Sequence, residues 1–296
     1  MEFRVLTPSR DGRSTTAIVD GLRLLGHDAY WTDPKIYGLV DYCSRADGVF
    51  VTKNTSTEIL RHVNSPTILW YPDVRDFAVY ERTNMVDVVE EVDYMLVKTT
   101  RYIDKWRSYN RNTHYFKQSV SPEVYSPPDE ITPSDHSKFD CDVVFCGTTD
   151  QHYHGERREW VDTLRDADFD FKLWCGDGNE RVEDPDQYAK MVKCSKINIG
   201  MSARLPESEG YLSARAYMVW ACGGFFLARR CKNFYNYFPE NICDTWVDTD
   251  ELVDKCHYWI NHPEERKQIA ENAREWFLEE GSSKSVMERI LDIVYG

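Results

Sequence analysis

Short apolar runs recur along the chain at intervals that suit buried β-strands separated by amphipathic helices. In the first 120 residues the predicted strands are residues 3–7, 29–31, 48–51, 67–70 and 94–97. Between the first two strands, Ile18, Leu22 and Leu25 share one helical face, and Gly26 ends that helix. Short buried strands that alternate with helices predict a parallel sheet covered on both faces.

A change of composition separates this pattern from a second one. Four prolines lie among polar residues between residues 121 and 137, which indicates a linker. Beyond it, strands are predicted at residues 141–146, 171–174, 197–199, 225–228 and 245–247, again alternating with helices. We therefore predict an α/β protein with two Rossmann-like domains, each a parallel sheet flanked by helices, and a cleft between them. The predicted boundaries are residues 1–125 for the N-terminal domain, 126–138 for the linker, 139–280 for the C-terminal domain and 281–296 for a last helix.

The stretch from residue 213 to residue 228 predicts a helix, a tight turn and a strand. Ser213 suits the N-cap, residues 214–222 favour a helix, and Gly223 with Gly224 ends it before an apolar strand. Arg215 lies in the first helical turn, where the helix dipole already favours an anion. This unit is therefore a candidate anion-binding element.

Two glycine turns of the second half follow predicted strands in the same way. They are residues 147–149, Gly-Thr-Thr, and residues 176–178, Gly-Asp-Gly. Because the carboxyl ends of parallel strands meet at one edge of a sheet, we expect these turns and the helix after Ser213 to converge there. Their backbone N–H groups and hydroxyls would form a donor array of the kind that a diphosphate needs.

Charge and cysteine content limit the classes of partner and compartment. The net charge of −14 disfavours general binding to nucleic-acid backbones and makes a small anionic ligand held by a few cations the easier expectation. Nine scattered cysteines suit free thiols in a reducing cytoplasm rather than a disulfide framework. No run of about 18 apolar residues predicts a membrane span, and the N-terminus lacks the pattern of a signal peptide.

Several features that could carry chemistry are better explained without it. His152 and His154 have no partner at metal-ligand spacing, so no metal site is predicted. Asp73 to Asp76 has the wrong spacing for a metal-binding acidic pair. No G-x-G-x-x-G follows the first strand, which argues against a dinucleotide-dependent dehydrogenase or epimerase.

The second half resembles glycosyltransferases of the GT-B fold, in particular the group that includes CgeB-like spore-maturation proteins. The matching segments occur in the family's order: DVVFCGTTDQ with RREWVDTL, YAKMVKCSKINIGMS, SARAYMVWACGGFFLA, and DTDELVDKCHYWINHPEERKQIAENA. The resemblance implies a C-terminal domain that binds a nucleotide-sugar donor and an N-terminal domain that meets the acceptor. It also implies a last helix, residues 281–296, that packs back on the N-terminal domain; its apolar residues require a partner surface.

The resemblance further implies roles for individual residues. Arg215 and Lys196 would face the donor diphosphate, Gly147 and Thr148 would lie near its phosphate or sugar, and Tyr188 near the nucleobase. Ser213 and Gly223 of the central motif complete the donor-side residues. Where many relatives carry a glutamate that holds the ribose, this chain has Met218.

The function predicted from these observations is transfer of a sugar from a nucleotide-diphosphate donor, with a UDP-sugar favoured, without metal or cofactor. The acceptor is open between a glycan, a protein, a small molecule and a modified base of viral DNA. The alternative, which Met218 favours, is a non-catalytic domain of the same fold that binds a nucleotide sugar or a glycan.

A catalytic base, if the reaction inverts configuration, is expected from the N-terminal half. Asp73 follows the strand 67–70 and would face the cleft from the carboxyl end of that sheet, where Trp70 and Tyr71 would partly desolvate it. Asp11, after the first strand, is the rival, and His27 is less favoured because it follows a helix. Asp73 could equally cap a turn after Pro72.

Overall fold

The computed structural model of the chain describes residues 1–7, 13–52, 57–71, 75–149, 156–174, 180, 182–201 and 208–296. The chain divides into two compact units. The first unit comprises Met1–Ser121, Ser208–Tyr211 and Gly281–Gly296, and the second comprises Pro122–Glu207 and Leu212–Glu280. Each unit is built around one parallel sheet.

The sheet of the first unit has six strands: β1 (Glu2–Leu6), β2 (Asp28–Thr32), β3 (Gly48–Val51), β4 (Thr67–Tyr71), β5 (Tyr94–Val97) and β6 (Thr113–Tyr115). Their order is β2-β1-β3-β4-β5-β6, and every neighbouring pair is parallel. The chain thus starts in the interior of the sheet and winds outward in both directions, as in a doubly wound fold.

Helices cover both faces of this sheet. They are α1 (Arg13–Leu24), α2 (Leu39–Cys43), α3 (Thr57–Leu60), α4 (Phe77–Glu81), α5 (Met85–Glu91), α6 (Ile103–Tyr109) and, from the end of the chain, α13 (Ser283–Tyr295). Alternate residues of β4 face opposite sides: Leu69 and Tyr71 pack into one core cluster, and Ile68 and Trp70 into the other. This period of two explains why β4 reads as an unbroken apolar run.

The sheet of the second unit has five strands: β7 (Cys141–Cys146), β8 (Phe171–Trp174), β9 (Ser195–Gly200), β10 (Phe226–Arg229) and β11 (Asp244–Trp246). Their order is β11-β10-β9-β7-β8, again all parallel. The helices of this unit are α7 (Pro133–Phe139), α8 (Glu156–Asp166), α9 (Pro185–Cys194), α10 (Ala214–Ala221), α11 (Thr249–Asn261) and α12 (Pro263–Trp276). The prediction of an α/β protein with two Rossmann-like parallel sheets is confirmed.

The proline-rich segment is more ordered than a linker. Helix α7 occupies 133–139, within and just beyond the predicted linker 126–138. Pro133 stands at the first helical position, where its missing N–H costs nothing. The side chains and backbones of Thr132 and Asp135 close a capping box. Proline therefore marks a helix start here, which composition alone did not reveal.

Short elements of the first unit were not predicted. Helices α2, α4, α5 and α6 contain five or seven residues each, and β6 contains three. Such lengths hold too few residues for a helical or strand period to be recognised. Phe77 and Trp106, whose ring centroids lie 4.7 Å apart, join two of these helices in one aromatic cluster.

Among the described residues, no helix combines the length and the apolar character needed to cross a bilayer. Eight cysteines fall in the described ranges and all are free thiols, six of them buried. Burial raises the pKa of Cys141 to about 11 and those of Cys222 and Cys256 to about 12. These thiols are therefore unreactive core residues.

The last helix, α13, packs against α1 in the first unit. Val286, Met287 and Ile290 are fully buried in the same cluster as Ile18 and Leu22. The two helices approach so closely that a Cβ at Gly21 would lie 2.8 Å from the carbonyl carbon of Ser283. At the other end of α13, the Tyr295 hydroxyl donates a hydrogen bond to the Asp47 carbonyl at 2.7 Å.

Replacing Gly21 with alanine tests this packing, because the sign of the change in the free energy of unfolding depends on whether the added methyl group has room. In an open helix interior, Gly→Ala stabilises by about 0.5–1 kcal/mol because the unfolded chain loses freedom. Here the added methyl meets the backbone of α13, so we expect Gly21→Ala to destabilise the first unit by about 1–3 kcal/mol. Urea unfolding would measure the change, and hydrogen exchange would show protection lost in both α1 and α13. A more stable variant would contradict the close approach.

Candidate functional site

Arg215 is held at the carboxyl end of β7. It lies in the first turn of α10, and its Nε donates a hydrogen bond to the carbonyl oxygen of Cys146 at 2.7 Å. Its guanidinium carbon lies 4.7 Å from the centroid of the Phe145 ring, a cation–π contact. The hydrogen bond and the ring contact fix the plane of the cation, because the guanidinium is rigid and Nε points to one acceptor.

Gly147 makes room for this cation. Its N–H donates to the Trp174 carbonyl at 2.9 Å, which joins the ends of β7 and β8. A Cβ at this position would lie 2.9 Å from the Phe145 ring and still closer to Nη2 of Arg215. Any side chain would displace the guanidinium, so the glycine is required by a close approach rather than by its backbone angles.

Ser213 occupies the N-cap position of α10, as predicted, with φ −68° and ψ 156°. Its side chain makes no capping hydrogen bond, and its buried Oγ has no hydrogen-bond partner within the described part of the chain. The first N–H groups of a helix also lack partners inside the helix. The start of α10 therefore combines a hydroxyl, backbone N–H groups and the Arg215 cation, which together suit an anion.

Arg157 is a second cation at this edge, and the sequence analysis did not single it out. Its Nε donates to the Met201 carbonyl at 2.9 Å and its Nη1 to the Thr148 carbonyl at 3.0 Å. Its guanidinium carbon lies 5.7 Å from the centroid of the same Phe145 ring. Only 6% of this residue is exposed. Two guanidinium groups thus meet at one aromatic ring where β7 ends.

A signal for Arg157 exists in the sequence. On α8 it precedes Trp160, Val161 and Leu164 by three, four and seven residues, so it shares their helical face. All three of those side chains are buried. A charged residue on the apolar face of a helix is rarely accidental, because a buried charge needs partners.

Arg229, at the carboxyl end of β10, is a third arginine on this edge. Its Nη1 forms an ion pair with Oε2 of Glu156 at 2.6 Å, and its guanidinium carbon lies 4.3 Å from the Trp160 ring centroid. Glu156 largely compensates the charge of Arg229. In the contacts described above, Arg215 and Arg157 are positioned by carbonyl oxygens and an aromatic ring.

The structure corrects the expected position of Lys196. This residue is the second of β9, so it lies at the amino end of the strand, roughly 13 Å from the carboxyl end at 3.3 Å per residue. Its ammonium forms an ion pair with Asp142 at 2.6 Å, near the start of β7. The structure therefore does not bring Lys196 together with Arg215.

Gly223 also lies at the amino edge of the sheet. It follows the end of α10, adopts φ 72° and accepts a hydrogen bond from the Lys193 ammonium at 3.2 Å. A helix that connects parallel strands begins at the carboxyl edge and ends at the amino edge, so the two ends of one motif belong to opposite sides. Gly223 and Lys196 instead line a pocket of about 280 Å³ with Arg266 and Lys267.

Tyr188 and Thr148 differ in their access to ligand. Tyr188 is buried in α9, and its ring meets that of Tyr125 edge-to-face with 5.9 Å between centroids, so it packs in the interior. Thr148 is exposed beside Gly147, and its carbonyl accepts from Arg157. Met218 is 2% exposed on α10. Of the predicted donor-side residues, the structure brings together Gly147, Thr148, Ser213 and Arg215.

Some predicted site residues lie outside the described residues. They are Asp11, Asp73 and the Gly-Asp-Gly turn at 176–178. His152 and His154 also fall outside.

Comparison with known proteins agrees with this architecture. The model of the family described as "Glycosyl transferase-like" matches residues 156–292, whereas none of the curated proteins matches the sequence. The chain is similar to the crystal structure of HepE from Anabaena in complex with UDP and glucose, with a TM-score of 0.69, 12% identity and 99% of each chain covered.

Two further solved structures have the same fold. An α-glucosyltransferase in complex with UDP and a 13-mer DNA gives a TM-score of 0.71 at 10% identity, with 99% of each chain covered. Sucrose-phosphate synthase from Thermosynechococcus elongatus gives 0.65 at 11% identity, with 99% of this chain and 98% of that chain covered. The chain therefore has the two-domain GT-B glycosyltransferase fold.

The structural role of the buried Arg157 can be tested by comparing its replacement with that of the adjacent, exposed Arg158. Arg157→Met removes the donors of two carbonyls and should destabilise the second unit by about 1–3 kcal/mol. Arg158→Met is the matched control, because Arg158 is 43% exposed and 3.6 Å from Asp162; a change within about 0.5 kcal/mol is expected there. Urea unfolding followed by tryptophan fluorescence would compare the two. Equal effects would argue against a structural role for Arg157.

Proposed function

We propose that this protein transfers a sugar from a nucleotide-diphosphate donor to an acceptor, and that the carboxyl edge of the second sheet binds the donor diphosphate. The observation that carries the proposal is the position of Arg215. Its guanidinium is fixed by the Cys146 carbonyl, the Phe145 ring and the space that Gly147 leaves. A cation fixed before the ligand arrives pays little entropy on binding.

The proposed chemistry follows from these groups. When a glycosidic bond to a nucleotide breaks, negative charge develops on the departing diphosphate. Arg215, the start of α10 and the Ser213 hydroxyl would stabilise that charge, with Arg157 adding to the field beside them. Each charge-assisted hydrogen bond contributes about 1.5–3 kcal/mol. We propose that these groups replace the divalent ion on which other transferases rely, so that transfer needs neither metal nor cofactor.

The nature of the donor is supported by the structural neighbours. HepE was crystallised with UDP and glucose, and the α-glucosyltransferase with UDP. On that basis we propose a UDP-sugar as donor, bound by the second unit. The segments quoted from the sequence support a place in the CgeB-like group of the family. Tyr188, which is buried against Tyr125, would reach a nucleobase only if its packing changed.

The acceptor is proposed only by class. The candidate classes are a glycan, a protein, a small molecule and a modified base of viral DNA, and one neighbour was crystallised with DNA. The net charge of −14 disfavours general binding to a phosphate backbone, so a nucleic-acid acceptor would need a local basic surface. The eight described free thiols support a cytoplasmic location.

Met218 favours a second candidate function, a non-catalytic domain that binds a nucleotide sugar or a glycan. It stands where the resemblance implies a ribose-binding glutamate, and it is 2% exposed in the core. A thioether cannot accept the paired hydroxyl hydrogen bonds that a carboxylate accepts. Binding of nucleotide sugar without turnover in the presence of varied acceptors would support this second candidate.

Donor binding can be tested with two charge-removing variants on opposite edges of one sheet. Arg215→Ala should weaken the affinity for UDP or a UDP-sugar by about 1.5–3 kcal/mol, which is tenfold or more. Lys196→Ala is the control: its exposed ion pair with Asp142 lies at the amino edge, so nucleotide affinity should stay within about twofold. Calorimetry would measure both dissociation constants.

A thermal-shift screen of nucleotide sugars should first identify the donor, since a ligand at 100 times its dissociation constant adds about 2.7 kcal/mol to the free energy of unfolding.

The opposite pattern would refute the placement of the donor. If Lys196→Ala loses affinity and Arg215→Ala does not, the diphosphate binds at the amino edge. If no nucleotide or nucleotide sugar stabilises the parent protein, the proposed function fails as a whole.

For a reaction that inverts configuration, the catalytic base is proposed from the sequence to be Asp73, with Asp11 as the rival. Asp73→Asn keeps the shape of the side chain and removes its basicity, so turnover should fall by about 10²–10⁴ while donor affinity is unchanged. Asp11→Asn should change turnover by only a few-fold. Rates measured at saturating donor would compare the two variants. A crippled Asp11→Asn beside an active Asp73→Asn would move the assignment to Asp11.

A further inference from the structure

Three side chains with metal-ligand chemistry meet at the amino edge of the second sheet, on the side opposite the proposed donor site. Asp140 immediately precedes β7, and Cys194 immediately precedes β9. These strands are paired with Cys141 opposite Ser195. Neighbouring strands lie about 4.8 Å apart, so the residues that precede a paired start are also neighbours.

His136 adds a third group from helix α7. It precedes Asp140 by four residues, which places both on the same helical face. Its Nδ1 lies 2.8 Å from Oδ1 of Asp140. His136, Asp140 and Cys194 each offer one ligand atom, and these three atoms lie within 4.8 Å of one another. The imidazole, the carboxylate and the thiol come from the end of α7 and from the junction of α9 with β9.

Nitrogen, oxygen and sulfur ligands in this combination are characteristic of zinc. At Zn–N and Zn–S lengths of about 2.1 and 2.3 Å, ligand atoms of a tetrahedral site lie roughly 3.4–3.8 Å apart. The ligand atoms lie within 4.8 Å of one another, so the longest separation exceeds this range by about 1.0–1.4 Å at most, whereas Nδ1 of His136 and Oδ1 of Asp140, 2.8 Å apart, must move apart. His136 and Asp140 are 54% and 55% exposed and can make that adjustment by rotating their side chains. Calcium and magnesium are excluded by ligand type, because both prefer oxygen alone.

The surroundings provide space for a cation with bound water, and their carboxylates and ammonium groups balance in number. The three residues line a cavity of about 360 Å³, together with the carboxylates of Asp142 and Asp170. Lys196 and Lys193 also line it, and Lys196 is already paired with Asp142 at 2.6 Å. The cavity leaves room for a water molecule in the fourth coordination position.

We infer that His136, Asp140 and Cys194 bind a zinc ion, with water as the fourth ligand, at the amino edge of the second sheet. The ion joins helix α7 to the starts of β7 and β9, and so acts on the stability of the second unit. Because this position is remote from the carboxyl edge, sugar transfer does not depend on the ion. The inference stands independently of the proposed function.

Cobalt titration tests the site directly. The protein of 296 residues, freed of metal with a chelator, is titrated with Co²⁺, which reports thiolate ligation by a sulfur-to-cobalt charge-transfer band in the near ultraviolet. One equivalent should produce this band, and zinc should abolish it by displacing the cobalt. Cys194→Ser should eliminate the band, and His136→Gln and Asp140→Asn should weaken zinc affinity by more than about tenfold.

The chain provides a matched control in a second histidine–carboxylate pair. His257 lies 3.1 Å from Asp168, but no cysteine joins them in the clusters formed by the described residues. His257→Gln should leave both the cobalt spectrum and the zinc affinity unchanged. Thermal unfolding should show zinc stabilising the parent and His257→Gln but not Asp140→Asn.

Three outcomes would overturn the inference. They are the absence of a thiolate band at one equivalent of cobalt, a band that persists in Cys194→Ser, and equal zinc affinity in parent and Asp140→Asn. Circular dichroism would establish that each variant is folded. If Cys194→Ser does not fold, loss of zinc affinity in folded His136→Gln supports the site, and retained affinity refutes it.

Discussion

The parallel pairing of β7 with β9 is the constraint on which both ends of the second unit depend. At the carboxyl end, Arg157 donates to the carbonyls of Thr148 and Met201, which follow those two strands. At the amino end, Asp140 and Cys194 precede the same strands and meet because the strands start together. Shifting the register by one residue would reverse which side chains face each layer and would break both arrangements.

The carboxyl edge of the second sheet gathers arginines in an otherwise acidic protein. The net charge is −14, so long-range electrostatics do not favour a phosphate group. Locally, two guanidinium groups share the Phe145 ring and bind backbone carbonyls in the contacts that fix them. Carbonyl dipoles orient these two cations, and at Arg229 the Glu156 carboxylate compensates the charge.

The resemblance to a known family grouped residues that the fold places at opposite edges of the second sheet. Its central motif spans a complete helix, so it contains Ser213 and Arg215 at one edge of the sheet and Gly223 at the other. A linear motif does not distinguish those edges. Lys196 was misplaced in the same way, since a lysine two residues into a strand lies far from the end of that strand. The α/β topology determines which part of a motif faces a ligand.

The sequence by itself determined the fold class, most strands and the N-cap of α10, because hydrophobic periodicity and glycine or proline signals are local. It also predicted that Gly147 and Arg215 lie close together, through the rule that strand ends converge, and the structure brings them together. Only the tertiary structure decided that Arg157 joins them and that Lys196 does not. Likewise, His136 and Cys194 are 58 positions apart in the chain, and no spacing rule connects them. Their proximity arises from strand pairing, a long-range interaction that leaves no periodic trace in the sequence.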